Sequence, residues 1–249
     1  MTNPKSFRKI TVCALLGQMK QMAVCDIALP IIRPLKPSSQ LGFTPGLFVK
    51  LANIMVTEKR AYAVFHDKIV LHQFLDASDA FGQTLHPIIM SQMFDGRLED
   101  DIWLYFEKMH SNSTTYVKWN GKVTKNCISE EKGNRQGGIS SAEEWKIYNN
   151  EMIKDIEEAC TQSDMVSNLP TNCVTVADDV APTVTGDSPR EALHKLQILL
   201  NIVEAHGEQL FMSFGVDKCK LLISGRQKKI KEVEALITER GTTAFNLFW

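Results

Sequence analysis

The chain has 249 residues, 44% of them hydrophobic and 23% charged, with 28 Lys+Arg against 29 Asp+Glu. That length can bury one large core or two small ones, and the composition excludes collagen-like, coiled-coil and disordered classes. Cys13, Cys25, Cys127, Cys160, Cys173 and Cys219 are dispersed, with no CxxC pair and no zinc-type Cys/His spacing, and read as reduced thiols of an intracellular protein. The longest apolar runs, such as residues 10–17, fall short of the roughly 20 residues of a membrane span, so no membrane is expected as a partner. Arg8, Lys9 and that run sketch a signal peptide, but Lys20 and the lack of a small-residue cleavage site favour a strand leading into a helix. The even charge balance hides an asymmetry: residues 1–74 hold ten Lys/Arg and three Asp/Glu, and the remaining 175 hold 18 and 26. A phosphate-binding lobe beside a metal-binding one would produce this, as would chance.

In chain order, residues 6–13 read as a strand, followed by a helix from about Leu15 that should stop before Pro30. Residues 40–45 form a turn and 47–60 look helical. Ile69 to Leu75 is a β-like run ending at Asp76. A helix opens at Pro87 and closes at Asp95-Gly96, and Leu98, Ile102, Tyr105, Phe106 and Met109 give the next one by their spacing. Asn120-Gly121 between two β-prone runs predicts a type I′ hairpin over 114–127. Ser141 with Glu144 predicts a capping box opening one helix that runs through Cys160. Residues 173–184 predict a second hairpin with an acidic tip. Ser188, Pro189 and Glu191 open a helix ending near Gly207; a strand at 220–224 and a charged helix at 227–240 follow. This order predicts an α+β layout, an antiparallel sheet backed by helices, close to a split βαβ.

The residues with chemistry fall at strand ends and bends. Asp76 ends a buried strand in LDASDAF (75–81), and Asp178 and Asp179 adjoin at a hairpin tip in VADD (176–179). Adjacent carboxylates repel, so holding them together calls for water or a cation. Three carboxylates from neighbouring strands could hold two divalent cations about 4 Å apart, the arrangement used in phosphoryl and nucleotidyl transfer. Mg²⁺ suits hard oxygen ligands and keeps positions open for substrate phosphate. Taken alone, each piece has a plain reading as a solvated turn or strand end. Between them, NRQGGISSAEEW (134–145) is a basic, glycine-rich loop running into a helix N-terminus, which suits a nearby phosphate or an ordinary flexible entry.

With these residues in view, the chain resembles the reverse transcriptase domain of non-LTR (LINE-type) retrotransposons over nearly its whole length. Residues 7–17 (FRKITVCALLG) are similar to the family's arginine-bearing fingers segment and 40–46 (QLGFTPG) to its Gln-x-Gly-Phe segment. Residues 75–86 (LDASDAFGQTLH) are similar to the first catalytic motif and 135–142 (RQGGISSA) to the template-contacting loop. VADD is similar to the acidic hairpin, and 214–225 (FGVDKCKLLISG) to the lysine motif that follows it. Departures are Val176 for an aromatic, Gly82 for a polar residue, Ser140 and Ala142 for Leu and Pro, and Gly215 for Asn. None removes an implied metal ligand.

The resemblance implies that Asp76 and Asp178 are the principal ligands of two Mg²⁺ ions, with Mn²⁺ as a substitute, and that Asp179 is the third acid. It implies that Phe81 stacks under the deoxyribose and excludes a 2′-hydroxyl, and that Arg8 clamps the incoming triphosphate. Gln136 and Gly137 would sit by the templating pair, and Lys218 near the leaving pyrophosphate as a candidate general acid. The plain alternatives are a core phenylalanine at 81, a solvated charge at Arg8 and an ordinary strand-start lysine at 218. His86 is expected to cap a turn, and the other histidines to form no catalytic triad.

The implied fold is an α+β right-hand polymerase palm, an antiparallel sheet backed by helices on a ferredoxin-like split βαβ core. Residues 1–74 would be partial fingers, 75–225 the palm and 226–249 the start of a connection toward a thumb, with no thumb present. The implied function is an RNA-directed DNA polymerase acting on an RNA template, a DNA primer and dNTPs. The chain begins just before Arg8 and stops near the primer grip, so further fingers, a thumb and the remainder of a retrotransposon polyprotein are expected outside it. Two rival readings are a catalytically inactive remnant and another palm-fold nucleotidyltransferase such as a nucleotide cyclase, against which the RQGG loop argues.

Overall fold

Residues 69–76 (IVLHQFLD), apolar apart from His72, Gln73 and the final Asp76, form β1 (Ile69–Asp76), buried along almost its whole length. Such a run belongs in a sheet covered on both sides. The computed structural model describes residues 10–32, 34, 37, 39–47, 49–111, 113–163, 173–215 and 217–239. They divide into two units, each discontinuous in sequence: Met1–Lys36 with Asp79–Tyr148, and Pro37–Ser78 with Asn149–Trp249.

The second unit holds the sheet. Its strands are β1, β6 (Cys173–Val176), β7 (Asp179–Gly186) and β8 (Lys220–Gly225), in the order β6-β7-β1-β8 with antiparallel neighbours throughout. Read from the β8 edge, the strands come fourth, first, third and second in the chain, the split βαβ order expected from sequence. Helix α2 (Val49–Phe65) leads into β1, α7 (Asn150–Ser163) precedes β6, α8 (Pro189–Gln209) joins β7 to β8, and α9 (Gln227–Glu239) follows. Both α2 and α8 pack against β1, and α7 packs on α8. Ser188 caps α8, its side chain accepting from the Glu191 N–H at 3.3 Å, while Glu191 accepts from the Asp187 N–H at 2.9 Å. Leu196, Leu200 and Val203 then place one stripe of that helix in the core.

A proline in a central strand removes a ladder donor, and β7 carries Pro182. The β1–β7 register runs from Ile69↔Gly186 to His72↔Thr183 and resumes at Leu75↔Val180, so the rungs opposite Pro182 and Ala181 are skipped. Gln73, on one of the skipped rungs, is buried, with its Nε2 3.5 Å from the Phe74 carbonyl.

The first unit is helical. It contains α1 (Leu15–Ile32), the single turn α3 (Ala80–Gln83), α4 (His86–Asp95), α5 (Asp100–His110) and α6 (Ser141–Tyr148). Ile89, Met93, Leu98, Phe106, Trp145 and Tyr148 are buried. Strands β3 (Lys118–Trp119) and β4 (Lys122–Val123) close the expected hairpin, with Asn120 and Gly121 both at positive φ (46° and 76°) as a type I′ turn requires. Strands β2 (Thr114–Thr115) and β5 (Ile128–Ser129) pair outside it.

Several expectations fail here. Residues 10–14 form no strand, and 6–9 lie outside the described residues. Helix α1 runs through Pro30 to Ile32, so this proline takes the backbone bond to Asp26 out of the helix without ending it. At 18 residues and mean hydropathy 1.3, α1 is long and apolar enough to cross a membrane by length and composition, since Lys20 and Asp26 are its only charges. In the structure its buried residues are Gln21, Cys25, Ala28 and Ile32, and Gln21 Nε2 donates to Ser140 Oγ at 2.5 Å. The helix expected over 141–160 breaks at Asn149 into α6 and α7, at the boundary between units. Its capping box does not form: Ser141 Oγ donates to the Arg135 carbonyl at 2.7 Å, and Glu144 lies 3.2 Å from His110 Nε2. All six cysteines are free thiols.

His72, fully buried on β1, gives the sheet unit a pH dependence. Thr183 Oγ1 donates to the Ala181 carbonyl (3.4 Å) and so accepts from His72 Nδ1 (2.9 Å), leaving Nε2 unprotonated and without a partner. Burial, reinforced by Lys59 and Arg60, pushes this imidazole down from 6.5 to about 4. A depressed folded value gives stability that is present above pH 6.5 and lost as pH falls toward 4. Urea unfolding at stepped pH should therefore show about 3 kcal/mol more acid loss between pH 7 and 4 in the native chain than in His72→Phe. Equal slopes would contradict this.

Candidate active site

The β1–β7 register sets Asp76 directly opposite Asp179, and the β6–β7 register closes Val176 on that same Asp179. Ala177 and Asp178 are left as a two-residue bend, so three carboxylates gather at one end of the sheet. The fourth participant comes from the segment before β8. The Gly215 N–H donates to the Asp76 carbonyl (2.9 Å) and the Lys218 N–H to the Gly215 carbonyl (2.9 Å). This fixes a turn from which Lys218 Nζ donates to Asp76 Oδ2 at 2.8 Å. Asp76, Asp178, Asp179 and Lys218, all named from sequence, thus come together within the sheet unit.

Their electrostatics follow from like charge at short range. The Asp179 carboxyl is held above its ordinary range, first by the crowding that thins its hydration, then by the charges of Asp178 and Asp76, with Lys218 opposing. Its side chain still reaches solvent, so this shift carries little stability. The hydrogen bond and charge of Asp76 push Lys218 upward, so its ammonium is firmly protonated at neutral pH. As the side chains stand, no three Asp, Glu, His or Cys among the described residues form a group able to hold a metal ion. The donor chemistry nonetheless fits a hard divalent cation: carboxylate oxygens from two paired strands, with a single exposed ammonium now offsetting part of their charge.

The bend has a support that sequence reading missed. Ala177 has φ +62°, a left-handed conformation that costs a residue with a Cβ about 1–2 kcal/mol. Residues 39–41 run beside β6, with the Leu41 N–H on the Thr175 carbonyl (2.8 Å) and the Thr175 N–H on the Ser39 carbonyl (3.0 Å). This brings the buried Gln40 to the bend. Its Oε1 accepts from the Ala177 N–H (3.1 Å) and the Gly42 N–H (3.0 Å), and its Nε2 donates to the Ala177 carbonyl (3.3 Å). A Cβ on Gly42 would lie 2.0 Å from the Ala177 nitrogen, so only glycine fits there. The QLGF string was visible as a motif, but nothing in its composition or period points 137 residues ahead to the bend.

The remaining candidates belong to the helical unit. Phe81, half-buried on α3, stacks on Trp145 with ring centroids 5.6 Å apart. The Gln136 carbonyl accepts from the Thr11 N–H (2.8 Å), and the exposed Gly137 has φ +96°. Arg135 anchors that loop through Nη2, which donates to the Met109 carbonyl (3.2 Å) and Ser113 Oγ (2.5 Å). His86 Nε2 meets the Gly133 carbonyl at 2.9 Å, and its ring lies 4.4 Å from that of His110, whose Nε2 faces Glu144. The sequence reading expected His86 to cap a turn and did not pair it with His110. Arg8 lies outside the described residues.

The family model described as reverse transcriptase (RNA-dependent DNA polymerase) matches residues 2–238. Comparison with curated proteins gives no match. Among solved structures, apo telomerase from Candida tropicalis aligns at TM-score 0.58 and 12% identity, covering 81% of this chain and 36% of that one. The form truncated from its C-terminal domain gives 0.57 and 12%, covering 82% and 41%. Telomerase from the same organism in complex with a TWJ fragment of telomeric RNA gives 0.57 and 12%, covering 84% and 34%. This chain therefore spans about two-fifths or less of those proteins, and at such identity the likeness is one of fold. The match of the family model over nearly the whole chain settles the kinship: the protein belongs to the reverse transcriptase (RNA-dependent DNA polymerase) family.

Proposed function

We propose that the chain catalyses template-directed DNA synthesis on RNA, and that it is of the non-LTR retrotransposon type. The observation that carries the reaction is the cross-strand pair Asp76↔Asp179 with Asp178 beside it and Lys218 on Asp76. The non-LTR assignment rests on the order and spelling of the six sequence segments. Reverse transcriptase domains in general use divalent metals; here Asp76, Asp178 and Asp179 are the residues that would hold Mg²⁺. Bound there, the metal would supply charge neutralisation for the triphosphate and activation of the primer 3′-oxygen.

The protein's own groups then have distinct tasks. The primer oxygen attacks the α-phosphate of a dNTP in line, forming the new phosphodiester and breaking the bond to pyrophosphate. Lys218 is free to leave Asp76 once that carboxylate is otherwise neutralised, and its protonated ammonium suits a leaving pyrophosphate, to which it can give a proton. Arg8 would clamp the triphosphate, and Gln136 and Gly137 would sit by the templating pair. Phe81, fixed by its stacking on Trp145, would deny space to a 2′-hydroxyl. The strand pair is held mainly through phosphates and A-form shape, so binding should weaken with salt.

Primer extension on poly(rA)/oligo(dT) with Mg²⁺ tests the reading. Incorporation of dTTP that falls by at least 10²-fold in Asp178→Asn is the expected result, and no incorporation by the native chain contradicts it. Cyclic nucleotide formed without any template would favour a nucleotide cyclase instead. In the same assay Phe81→Val should narrow the preference for dTTP over UTP by about tenfold or more, a missing methylene-scale contact being worth 10–200-fold in such selections. Unchanged discrimination refutes the gate.

A further inference from the structure

We infer that Gln40 is a positioning residue for the acid bend, forcing Ala177 into the left-handed conformation that sets where Asp178 and Asp179 stand. This deepens the polymerase reading and rests on it for the catalytic consequence, though not for the structural one.

The argument starts from the bend itself. A two-residue hairpin whose first bend residue has positive φ ordinarily takes glycine there. Ala177 instead has φ +62° and a Cβ. Strain of this kind persists only where the surroundings over-determine the conformation. Both peptide groups of Ala177 are held by one side chain: Gln40 Oε1 takes its N–H and Gln40 Nε2 binds its carbonyl, at 3.1 and 3.3 Å. Gln40 is itself 2% exposed and locked by the Gly42 N–H at 3.0 Å. Gly42 permits the approach, since any Cβ there would strike the Ala177 nitrogen. A primary amide is the fitting group, because it offers one acceptor and one donor at the separation of a peptide's own C=O and N–H. A carboxylate would lose the donor and add a fourth negative charge to a crowded site. Released from the clamp, Ala177 would relax toward negative φ and re-aim the two acids that follow it.

The test uses the whole chain as Gln40→Ala, alone and combined with Ala177→Gly. Glycine reaches positive φ without being forced, so it repairs a lost clamp but not a lost core contact. Gln40→Ala should lower kcat for primer extension by at least tenfold, leave the KM for template–primer within twofold, and speed amide exchange at Ala177 by tenfold or more. Adding Ala177→Gly should bring kcat back to within threefold of the native value. Retained kcat in Gln40→Ala, or a loss that Ala177→Gly leaves unrepaired, overturns the inference. If the native chain extends no primer, the polymerase reading falls, and Mn²⁺ titration by electron paramagnetic resonance decides the clamp alone. Affinity lost in Gln40→Ala and regained with Ala177→Gly supports it; unchanged affinity overturns it.

Discussion

Mutual repulsion among Asp76, Asp178 and Asp179 is the constraint around which the sheet unit is arranged. Antiparallel pairing leaves no choice about it: once β1 and β7 are in register, Asp76 and Asp179 are opposed, and the bend adds Asp178. Opposed like charges are unfavourable on a sheet, and the raised proton affinity of Asp179 comes first from its thinned hydration and then from the charges of Asp178 and Asp76. Among the described residues the excess is met by Lys218, delivered by a turn hydrogen-bonded to the backbone of Asp76 itself. A fold optimised for stability alone would separate these carboxylates. Keeping them together on rigid strands is what a cation site would require.

The surroundings serve that end. Pro182 interrupts the central ladder, yet the strand stays in register on both sides of the gap because β6 pairs across it, Cys173↔Pro182. The segment 39–42, which belongs to no strand or helix of the sheet unit, is threaded beside β6 and puts a buried amide on the bend. Burial of that amide is offset because all its described contacts are hydrogen bonds to backbone groups.

Much of this was legible in the sequence. The run into Asp76, the Asn-Gly hairpin, the Ser-Pro start of α8 and the acidic bend are local signals that survived folding. Two of the failures depended on residues distant in sequence. Glu144 was assigned to a cap because its neighbour Ser141 fits one, but His110 competes for it from another helix. The single helix expected over 141–160 ignores that residues 148 and 149 fall in different compact units, a division no periodicity encodes. Helix α1 runs two residues past Pro30, a local stop signal that the chain does not obey. Gln40 illustrates the limit best: its type and motif were noted, but its task is defined by Ala177, far along the chain.

Crystals grown with Mn²⁺ and measured at its absorption edge would test the central claim most directly. The account predicts an anomalous peak lying between the carboxylates of strands β1 and β7, with the ammonium of residue 218 moved off its present partner. Anomalous density elsewhere, or an ordered lysine contact with no peak beside it at saturating Mn²⁺, would mean that these acids were not gathered for a cation.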